Sequence, residues 1–450
     1  MVKKISINRN RLLAVLLLSC VSFGAFAQSE KTSQQEEPQK TELQLLREDI
    51  DKNTLEIKKL KKLKISGYAQ LQNELSEQFG STKVGGTTAY QADRDEKSGY
   101  FSRFGIRRGR VKVAWEERFG SAVFQLDITE KGVGIKDAYL KVKEPWLNIF
   151  SFTGGIFDRP FGDEISYSSS NRESPERSLI FQKLFPDERD LGAMLTIAAP
   201  KGSKAEGLKL DAGLFSGNGI RPDDNSKMDF IGHLKYDKKW NDFAFGIGTS
   251  MYYGTVNNAD TFLYRLQNVN DKLIWNKKEV EANRLNIRQY YGFDAQFSAF
   301  TSWGTTNIRG EFLFGTQPSK SGDFGSPKSD TYINTAPFNY MRNFMGGHFY
   351  FIQDIYRTPL TFVFKYGYLD PNTKIKGNDI TNKTDLTNHN CGLGLLVKMT
   401  SYLRLQLFYE MIVNEKTDQI AAVTQSNGKV LDYSKNVKDN VFTARLQIKF

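Results

Sequence analysis

The last ten residues of the chain alternate between apolar and polar positions. One face of this segment carries Phe442, Ala444, Leu446, Ile448 and Phe450, and the other carries Val441, Thr443, Arg445, Gln447 and Lys449. A period of two is typical of a β-strand, because successive side chains point to opposite faces. A strand of this kind that ends in an aromatic residue favours the closing strand of a transmembrane β-barrel. An edge strand of a soluble β-sandwich would show the same alternation.

The alternation recurs along residues 65–450, which show no linker and no change in composition. It is clearest in residues 122–128, 138–142, 208–214, 362–368 and 403–409. Turn signals between such runs lie at residues 218–219, 221–225, 370–372 and 427–428. The pattern predicts an all-β fold, a transmembrane antiparallel β-barrel of about 16 strands, with about 14 or 18 strands as alternatives. A barrel of that size encloses a water-filled lumen, so it favours a channel.

The N-terminus has the three parts of a secretory signal peptide. Residues 3–11 contain four basic side chains, residues 12–18 are apolar, and residues 25–27 form an A-x-A cleavage site. We therefore expect residues 1–27 to be removed and the mature chain to begin at Gln28. A lipoprotein site that leaves Cys20 as a lipidated N-terminus is the alternative. Beyond the signal, no stretch of about 18 apolar residues predicts a transmembrane helix.

Residues 28–64 are expected to form a periplasmic segment. Residues 28–41 are rich in Gln, Glu, Lys and Ser, which predicts disorder. A heptad pattern follows, formed by Leu43, Leu46, Ile50, Asn53, Ile57 and Leu60. This spacing predicts a helix that forms a short coiled coil between three protomers, with Asn53 fixing the register. A lone amphipathic helix that lies against the barrel or the cell wall is the alternative.

Signals for catalysis are weak in this chain. The three histidines, His233, His348 and His389, have no metal-ligand neighbour at helical spacing, and no nucleophile elbow or phosphate-binding loop appears. Cys391 is the only cysteine expected in the mature chain, so no internal disulfide is possible. We therefore expect no enzyme activity and no cofactor. An exported chain with this alternation also makes nucleic acid an improbable partner.

The longest interval without alternation runs from about residue 157 to residue 190. A loop of more than about thirty residues is usually functional. In a wide barrel, we expect it to fold inward and narrow the pore.

An ordered set of short motifs lies on and around this loop. The motifs are Arg107-Arg108-Gly109-Arg110, Leu126-Asp127, Asp137-Ala138-Tyr139, Gly155-Ile156-Phe157, Arg159-Pro160-Phe161-Gly162, Glu176-Arg177-Ser178 and Arg189-Asp190-Leu191-Gly192. Together they resemble the phosphate-selective porin O and P family of Gram-negative outer membranes. One departure is Asp158, which precedes Arg159-Pro160 where family members often carry a lysine.

The resemblance implies a homotrimer of sixteen-stranded barrels in the outer membrane of a Gram-negative bacterium. It also implies that a third loop folds into each lumen, and that arginines and lysines line a pore that binds anions. Its implied partners are a second and third copy of the chain, outer-membrane lipids and small anions such as phosphate.

The charge pattern agrees with an anion pore without requiring one. The whole chain carries a formal net charge of +11, and a modest positive surplus belongs to the barrel segment. Arg108, Arg110 and Lys112 share one parity and oppose apolar residues, so we expect them to form a ladder in the lumen. In the alternative interpretation, they pair with acids such as Asp127 and Asp137 and only brace the barrel.

The long loop offers a second group of candidate anion-binding residues. These are Arg159, Arg177, Lys183 and Arg189, with Arg172 between them. Several acids lie among them, so internal salt bridges are the alternative for most.

The sequence thus predicts a porin for passive diffusion of small anions, with phosphate or oligophosphate implied by the resemblance. A general or oligosaccharide-permeable porin without anion selectivity is one alternative. A non-conducting structural or adhesive barrel is the other.

Overall fold

The computed structural model describes residues 41–84, 101–220, 223, 225–327, 337–424 and 429–450. The predicted signal peptide, Cys20, the segment 28–40 and the turn signals at 221–222 and 427–428 lie outside these ranges. Helix α1 spans Glu42–Leu60 and exposes more than half of Leu43, Leu46, Ile50, Ile57 and Leu60. No helix in the described ranges is both long and apolar enough to cross a bilayer.

Twenty strands follow α1 along the described chain. They are β1 (Leu63–Ser76), β2 (Phe101–Glu116), β3 (Gly120–Thr129), β4 (Gly132–Lys143), β5 (Phe150–Asp158), β6 (Arg189–Ala198), β7 (Leu208–Phe215), β8 (Asp229–Lys239), β9 (Phe243–Asn258), β10 (Phe262–Val269), β11 (Lys272–Glu279), β12 (Arg284–Thr301), β13 (Gly304–Ser319), β14 (Tyr340–Asp354), β15 (Leu360–Asp370), β16 (Asn388–Lys398), β17 (Leu403–Asn414), β18 (Val423–Thr424), β19 (Val430–Leu431) and β20 (Val441–Lys449). A short helix, α2 (Leu179–Leu184), lies between β5 and β6, and 3₁₀ turns span Gly377–Asp379 and Lys383–Asp385.

Sixteen of these strands close into one antiparallel barrel, which confirms the predicted fold and strand number. The ring bypasses the β10–β11 hairpin, because β9 pairs directly with β12. The predicted terminal strand β20 closes the ring by pairing with both β17 and β1. Closure leaves no open sheet edge in the ring, so every barrel strand has a partner on each side.

The outer face of the barrel is apolar and the inner face is largely polar. Exposed outer side chains include Phe104, Leu140 and Phe293, and aromatic residues are frequent along β9 and β12–β15. In β1 the buried, inward positions are instead Gln70 and Glu74 and their polar neighbours. This arrangement matches a barrel that contacts lipid outside and water or a polar filling inside.

The two ends of the barrel differ in the length of their connections. Turns such as 117–119 and 302–303 join strands at one end, which we call the turn end. Loops such as 159–188 and 259–283 join them at the other, which we call the long-loop end. In barrels of this kind the short turns face the periplasm and the long loops face outward.

Two β-bulges change which side chains point into the lumen. The β1–β2 register passes from Gln70↔Arg108 to Leu71↔Ile106, so Arg107 is an extra residue. The β3–β4 register likewise leaves Lys136 unpaired between Ile135 and Asp137. A bulge places two successive residues opposite one partner. The extra residue of each bulge, Arg107 or Lys136, is charged and lies on the lumen side.

Residues 159–188, which we call the lumen loop, fold into the barrel and carry an apolar core. Phe181 and Phe185, on and beside α2, are almost fully buried against Tyr252, Tyr290 and Phe344 of the barrel wall. The ring centroid of Phe185 lies 6.0 Å from that of Tyr252 and 5.8 Å from that of Tyr290. The side of the lumen near β8–β15 is therefore packed, whereas the sequence predicted a water-filled interior narrowed by the loop.

Candidate functional site

The lumen loop makes hydrogen bonds to strands on all sides of the barrel. Its partners are Tyr68 on β1, Arg108 on β2, Lys235 on β8, Ser250 on β9, Glu311 on β13, Tyr350 on β14, Lys365 on β15, Gln406 on β17 and Arg445 on β20. β1 and β9 lie opposite each other in the ring of sixteen strands. The loop therefore spans the lumen and leaves only parts of it open.

Glu176 anchors the loop to the seam between β20, β1 and β2. Its carboxylate accepts hydrogen bonds from Arg107 at 2.7 Å, Arg108 at 2.9 Å and Arg445 at 3.1 Å. Burial alone would raise the pKa of Glu176, but the three guanidinium groups hold it well below its usual value. The carboxylate thus stays charged at neutral pH and neutralises part of the arginine cluster.

A second anchor joins the loop to β13 and β14. Glu311 accepts hydrogen bonds from the backbone N–H groups of Asp163 and Glu164, the first at 3.1 Å. Glu164 itself accepts from the N–H of Ser178 at 2.9 Å and lies 3.5 Å from His348 Nδ1. Burial raises the pKa of Glu164, yet the nearby charges, led by His348, lower it to about 2.

A cavity of about 470 Å³, the inner cavity, lies between the lumen loop and the wall formed by β2–β8. Its basic lining residues are Arg110, Lys112, Lys141, Arg159, Arg177, Arg189, Lys209 and Lys235, and its acidic ones are Asp137, Asp158, Asp163, Asp211 and Asp237. Eight cationic groups therefore face five carboxylates. Lys112 and Lys141 are half-buried, and their ammonium groups make no hydrogen bond or salt bridge to the described part of the chain.

Two further pockets lie toward the long-loop end. The notch pocket, about 340 Å³, is lined by the β3–β4 hairpin (residues 127–136), by Asp187 and Arg189, and by Ile220. The vestibule pocket, about 390 Å³, lies on the other side of the loop, and residues from β1, β17 and β20 line it. The lumen loop thus separates a space under β3–β4 from a space beside the β20–β1 seam.

The predicted ladder on β2 points into the lumen but is not uniform. Arg108 is bound by Glu176, and Arg110 donates to Asp127 Oδ2 at 3.2 Å and to Ser169 Oγ at 3.1 Å. Within the described part of the chain, Lys112 alone of the three has no such partner, and it lines the inner cavity. Arg110 thus pairs with a wall acid that the alternative interpretation named, whereas Arg108 pairs with Glu176 of the lumen loop.

Four of the five predicted loop cations are also paired with carboxylates, whereas the buried guanidinium group of Arg172 has no hydrogen-bond partner in the described part of the chain. Arg159 lies 3.0 Å from Asp190, Lys183 lies 2.7 Å from Asp323, and Arg177 contacts Glu188. Arg189 contacts three carboxylates, those of Asp137 at 2.8 Å, Asp158 at 2.5 Å and Glu188 at 2.8 Å.

Sequence reasoning missed several charged residues of the lumen. Arg107 and Lys136 enter it through the two bulges, which no alternation pattern reveals. Lys141 could have been found, because it shares the polar parity of Asp137 and Tyr139 on β4. Arg445 joins Glu176 across 269 residues of sequence, a separation that hides the pair.

Within the described ranges, no group of three His, Cys, Asp or Glu side chains is placed to hold a metal ion. The charged side chains of the lumen instead form ion pairs with each other and line water-accessible space. Such an arrangement can attract, repel and filter small charged solutes.

Comparison with known proteins gives a likeness in fold alone. No protein family model matches the chain, and no curated protein matches it. Among solved structures, Pseudomonas putida OprB at high pH is 12% identical, with 89% of this chain and 96% of that chain covered and a TM-score of 0.51. The outer membrane channel DcaP of Acinetobacter baumannii is 10% identical, with 86% and 97% covered and a TM-score of 0.50. Salmonella typhi OmpF, in complex with daunomycin, is 11% identical, with 86% and 97% covered and a TM-score of 0.50.

These matches establish the fold of outer-membrane porins, and the closed barrel with its apolar outer face is consistent with an outer-membrane location. The finer resemblance to the porin O and P family stays a prediction.

Proposed function

We propose that this chain forms a channel for the passive diffusion of small anions, phosphate or oligophosphate among them. The porin fold supplies the passage, and the chemistry of the inner cavity supplies the preference. No bond is made or broken in this function, so the proposal needs no catalytic residue and no cofactor.

The observation that carries anion preference is the charge of the inner cavity. Eight cationic side chains and five carboxylates line it, which leaves a positive surplus in a confined space. Lys112 and Lys141 supply much of this surplus, because no carboxylate binds them in the described part of the chain. A surplus of one sign in a narrow, low-dielectric cleft raises the local concentration of the opposite ion.

A general diffusion porin is the second candidate function, and one observation favours it. Arg108, Arg110, Arg159, Arg177 and Arg189 are each bound to at least one carboxylate. Paired charges attract mobile ions less than free ones do, and so the arginines that carry the family resemblance would contribute little selectivity.

We also propose that the chain assembles as a homotrimer, through α1 at least in part. Five apolar residues at heptad positions of α1 are more than half exposed, which is the pattern of a helix whose partner is another helix. An isolated helix of 19 residues with that sequence has marginal stability in water. Cross-linking of the purified protein, with and without residues 42–60, tests this assembly.

Swelling of liposomes that contain the purified protein tests the function. Three solutes are compared: a neutral sugar, a salt whose small anion must use the channel, and a salt whose small cation must use the channel. In each salt an ionophore carries the counter-ion, so that charge stays balanced. Faster entry of the permeant anion supports the proposal, especially if added phosphate slows chloride entry. Equal entry of all three supports a general porin, and the absence of any entry rejects a channel.

A further inference from the structure

The two pockets at the long-loop end carry opposite charge. The notch pocket has three cationic residues, Lys131, Lys136 and Arg189, against Asp127 and Asp187. The vestibule pocket has Lys83 and Lys183 against four carboxylates, those of Glu74, Glu176, Asp323 and Glu410. The lining residues alone thus carry one excess positive charge in the notch pocket and two excess negative charges in the vestibule pocket, although Arg189 and Glu176 also have ion-pair partners behind the lining.

The two pockets also differ in how they relate to the inner cavity. Arg189 lines both the notch pocket and the inner cavity. The vestibule pocket shares no lining residue with the inner cavity within the described ranges. The ion pairs of Glu176 and the apolar core around Phe181 fill the space on that side of the lumen loop.

The junction at Arg189 is narrow and held by ion pairs. Arg189 is tied to Asp137 and Asp158 of the wall, and Lys136 donates to the backbone oxygen of Asp187 at 2.9 Å and lies 3.2 Å from Glu188. The side chains of Arg189 and Lys136 are only 11% and 12% exposed. A guanidinium group has five donors in a planar fork, so it can bind an anion while it exchanges one carboxylate partner.

We propose that anions cross this barrel by one route, from the notch pocket past Arg189 and Lys136 into the inner cavity. The vestibule pocket is outside that route. Arg189 and Lys136 form its constriction, and each passing anion transiently replaces one of their carboxylate partners, Glu188 or Asp158. This inference rests on the proposed channel function and specifies where the solute passes.

Gly134 offers a way to block the notch pocket. It lines this pocket, pairs with Asp127 in the β3–β4 register, and has open space where a Cβ would lie. The variant Gly134→Cys would therefore present a thiol to the proposed route with little strain. Ser81, which is exposed and lines the vestibule pocket, gives the matched variant Ser81→Cys. Both are made in a Cys391→Ser background, because Cys391 is the free thiol of the described chain.

The experiment measures single-channel conductance of the trimer or monomer as purified, before and after reaction with 2-sulfonatoethyl methanethiosulfonate. The cysteine thiolate attacks the sulfenyl sulfur of the reagent, a mixed disulfide forms, and methanesulfinate leaves. Mass spectrometry establishes complete modification of both variants before conductance is compared.

We expect modification of Gly134→Cys to lower the conductance at least twofold and modification of Ser81→Cys to leave it unchanged. A loss only in Ser81→Cys would overturn the route in favour of the vestibule pocket. A loss in both variants, or in neither, would also overturn it, because anions would then pass on both sides of the loop or elsewhere. If the Cys391→Ser parent does not conduct at all, the proposed function itself is wrong.

Discussion

Removal of the two inner-cavity lysines that have no ion pair in the described chain should reduce anion preference more than any other pair of neutral substitutions on this wall. Lys112 on β2 and Lys141 on β4 line the cavity, and each is without an ion pair in the described chain. The double variant Lys112→Gln/Lys141→Gln changes the cavity charge by two units and breaks no observed hydrogen bond. Its effect should therefore be electrostatic, with little change in folding.

The size of the effect follows from the dimensions of the cavity. A sphere of 470 Å³ has a radius of about 5 Å, which we take as the distance from a lysine ammonium to an anion at the centre. In water, Coulomb's law gives about 0.8 kcal/mol per lysine at that distance, and screening at about 0.1 M salt lowers it to about 0.5 kcal/mol. Loss of both lysines then removes about 1 kcal/mol, or about fivefold in anion occupancy.

The assay is the zero-current potential of the double variant in a planar bilayer across a KCl gradient. We expect the potential to shift toward the cation-selective side at about 0.1 M salt, and to shift by less than about half as much at about 1 M salt, where screening is stronger. The control is Lys201→Gln/Lys204→Gln, which removes two exposed charges from the turn between β6 and β7. A parent-like potential in the double variant, or an equal shift in the control, would refute the reasoning.

Three further predictions concern the loop and the wall that hold this cavity. Phe181→Ala should destabilise the fold by about 3–5 kcal/mol, because Phe181 is fully buried in the apolar core. Phe181→Leu should lose less stability. An unchanged melting temperature of Phe181→Ala in heat-modifiability gels would contradict the packed lumen. Asp229→Ala should lower the free energy of unfolding in urea by about 3–5 kcal/mol, since it leaves the buried guanidinium group of Arg288 without its carboxylate. A smaller loss of stability than in the control Asp242→Ala, where the aspartate is exposed, would contradict this. Burial, and after it the charge of Glu77, raises the pKa of Asp439, in the segment before β20, to about 7. The folded-state pKa of Asp439 lies above the ordinary value for an aspartate. The stability that Asp439 contributes is therefore complete below about pH 4 and is lost as the pH rises through about 7. Asp439→Asn should therefore match the parent in melting temperature below about pH 4 and exceed it at about pH 9, and a difference independent of pH would contradict the assignment.

The barrel could be predicted from sequence because its strands have a strict chemical division between faces. The run 403–409 lies within β17, and the terminal run forms β20, which closes the ring against β1. The β10–β11 hairpin shows the limit of this reasoning. Its alternation resembles that of a barrel strand, yet β9 pairs with β12 and excludes it from the ring.

The interior could be predicted only in part, because its details depend on pairing between distant segments. The bulges that turn Arg107 and Lys136 inward arise from the register with β1 and β3, which the local sequence does not encode. The apolar core of the lumen was hidden for another reason. Tyr252 and Tyr290 face inward from strands whose outer face is also aromatic, so the alternation that marks a polar lumen is weak there.

The candidate site, like the interior, could be predicted from the sequence only in part. The sequence identified three of the cations that face the lumen on β2, since Arg108, Arg110 and Lys112 share a parity, but it missed Arg107. It could not identify which of them is free, because the partners of the two arginines come from the lumen loop and from β3.

The most direct test of the account is the zero-current potential of the purified parent protein in a planar bilayer across a KCl gradient. The positive surplus of the inner cavity predicts a potential of anion-selective sign, which decreases at high salt, and a chloride current that added phosphate reduces. A potential near zero with ample conductance would contradict anion preference and leave a general porin. A cation-selective potential would contradict the assignment of the inner cavity as the part of the channel that determines selectivity.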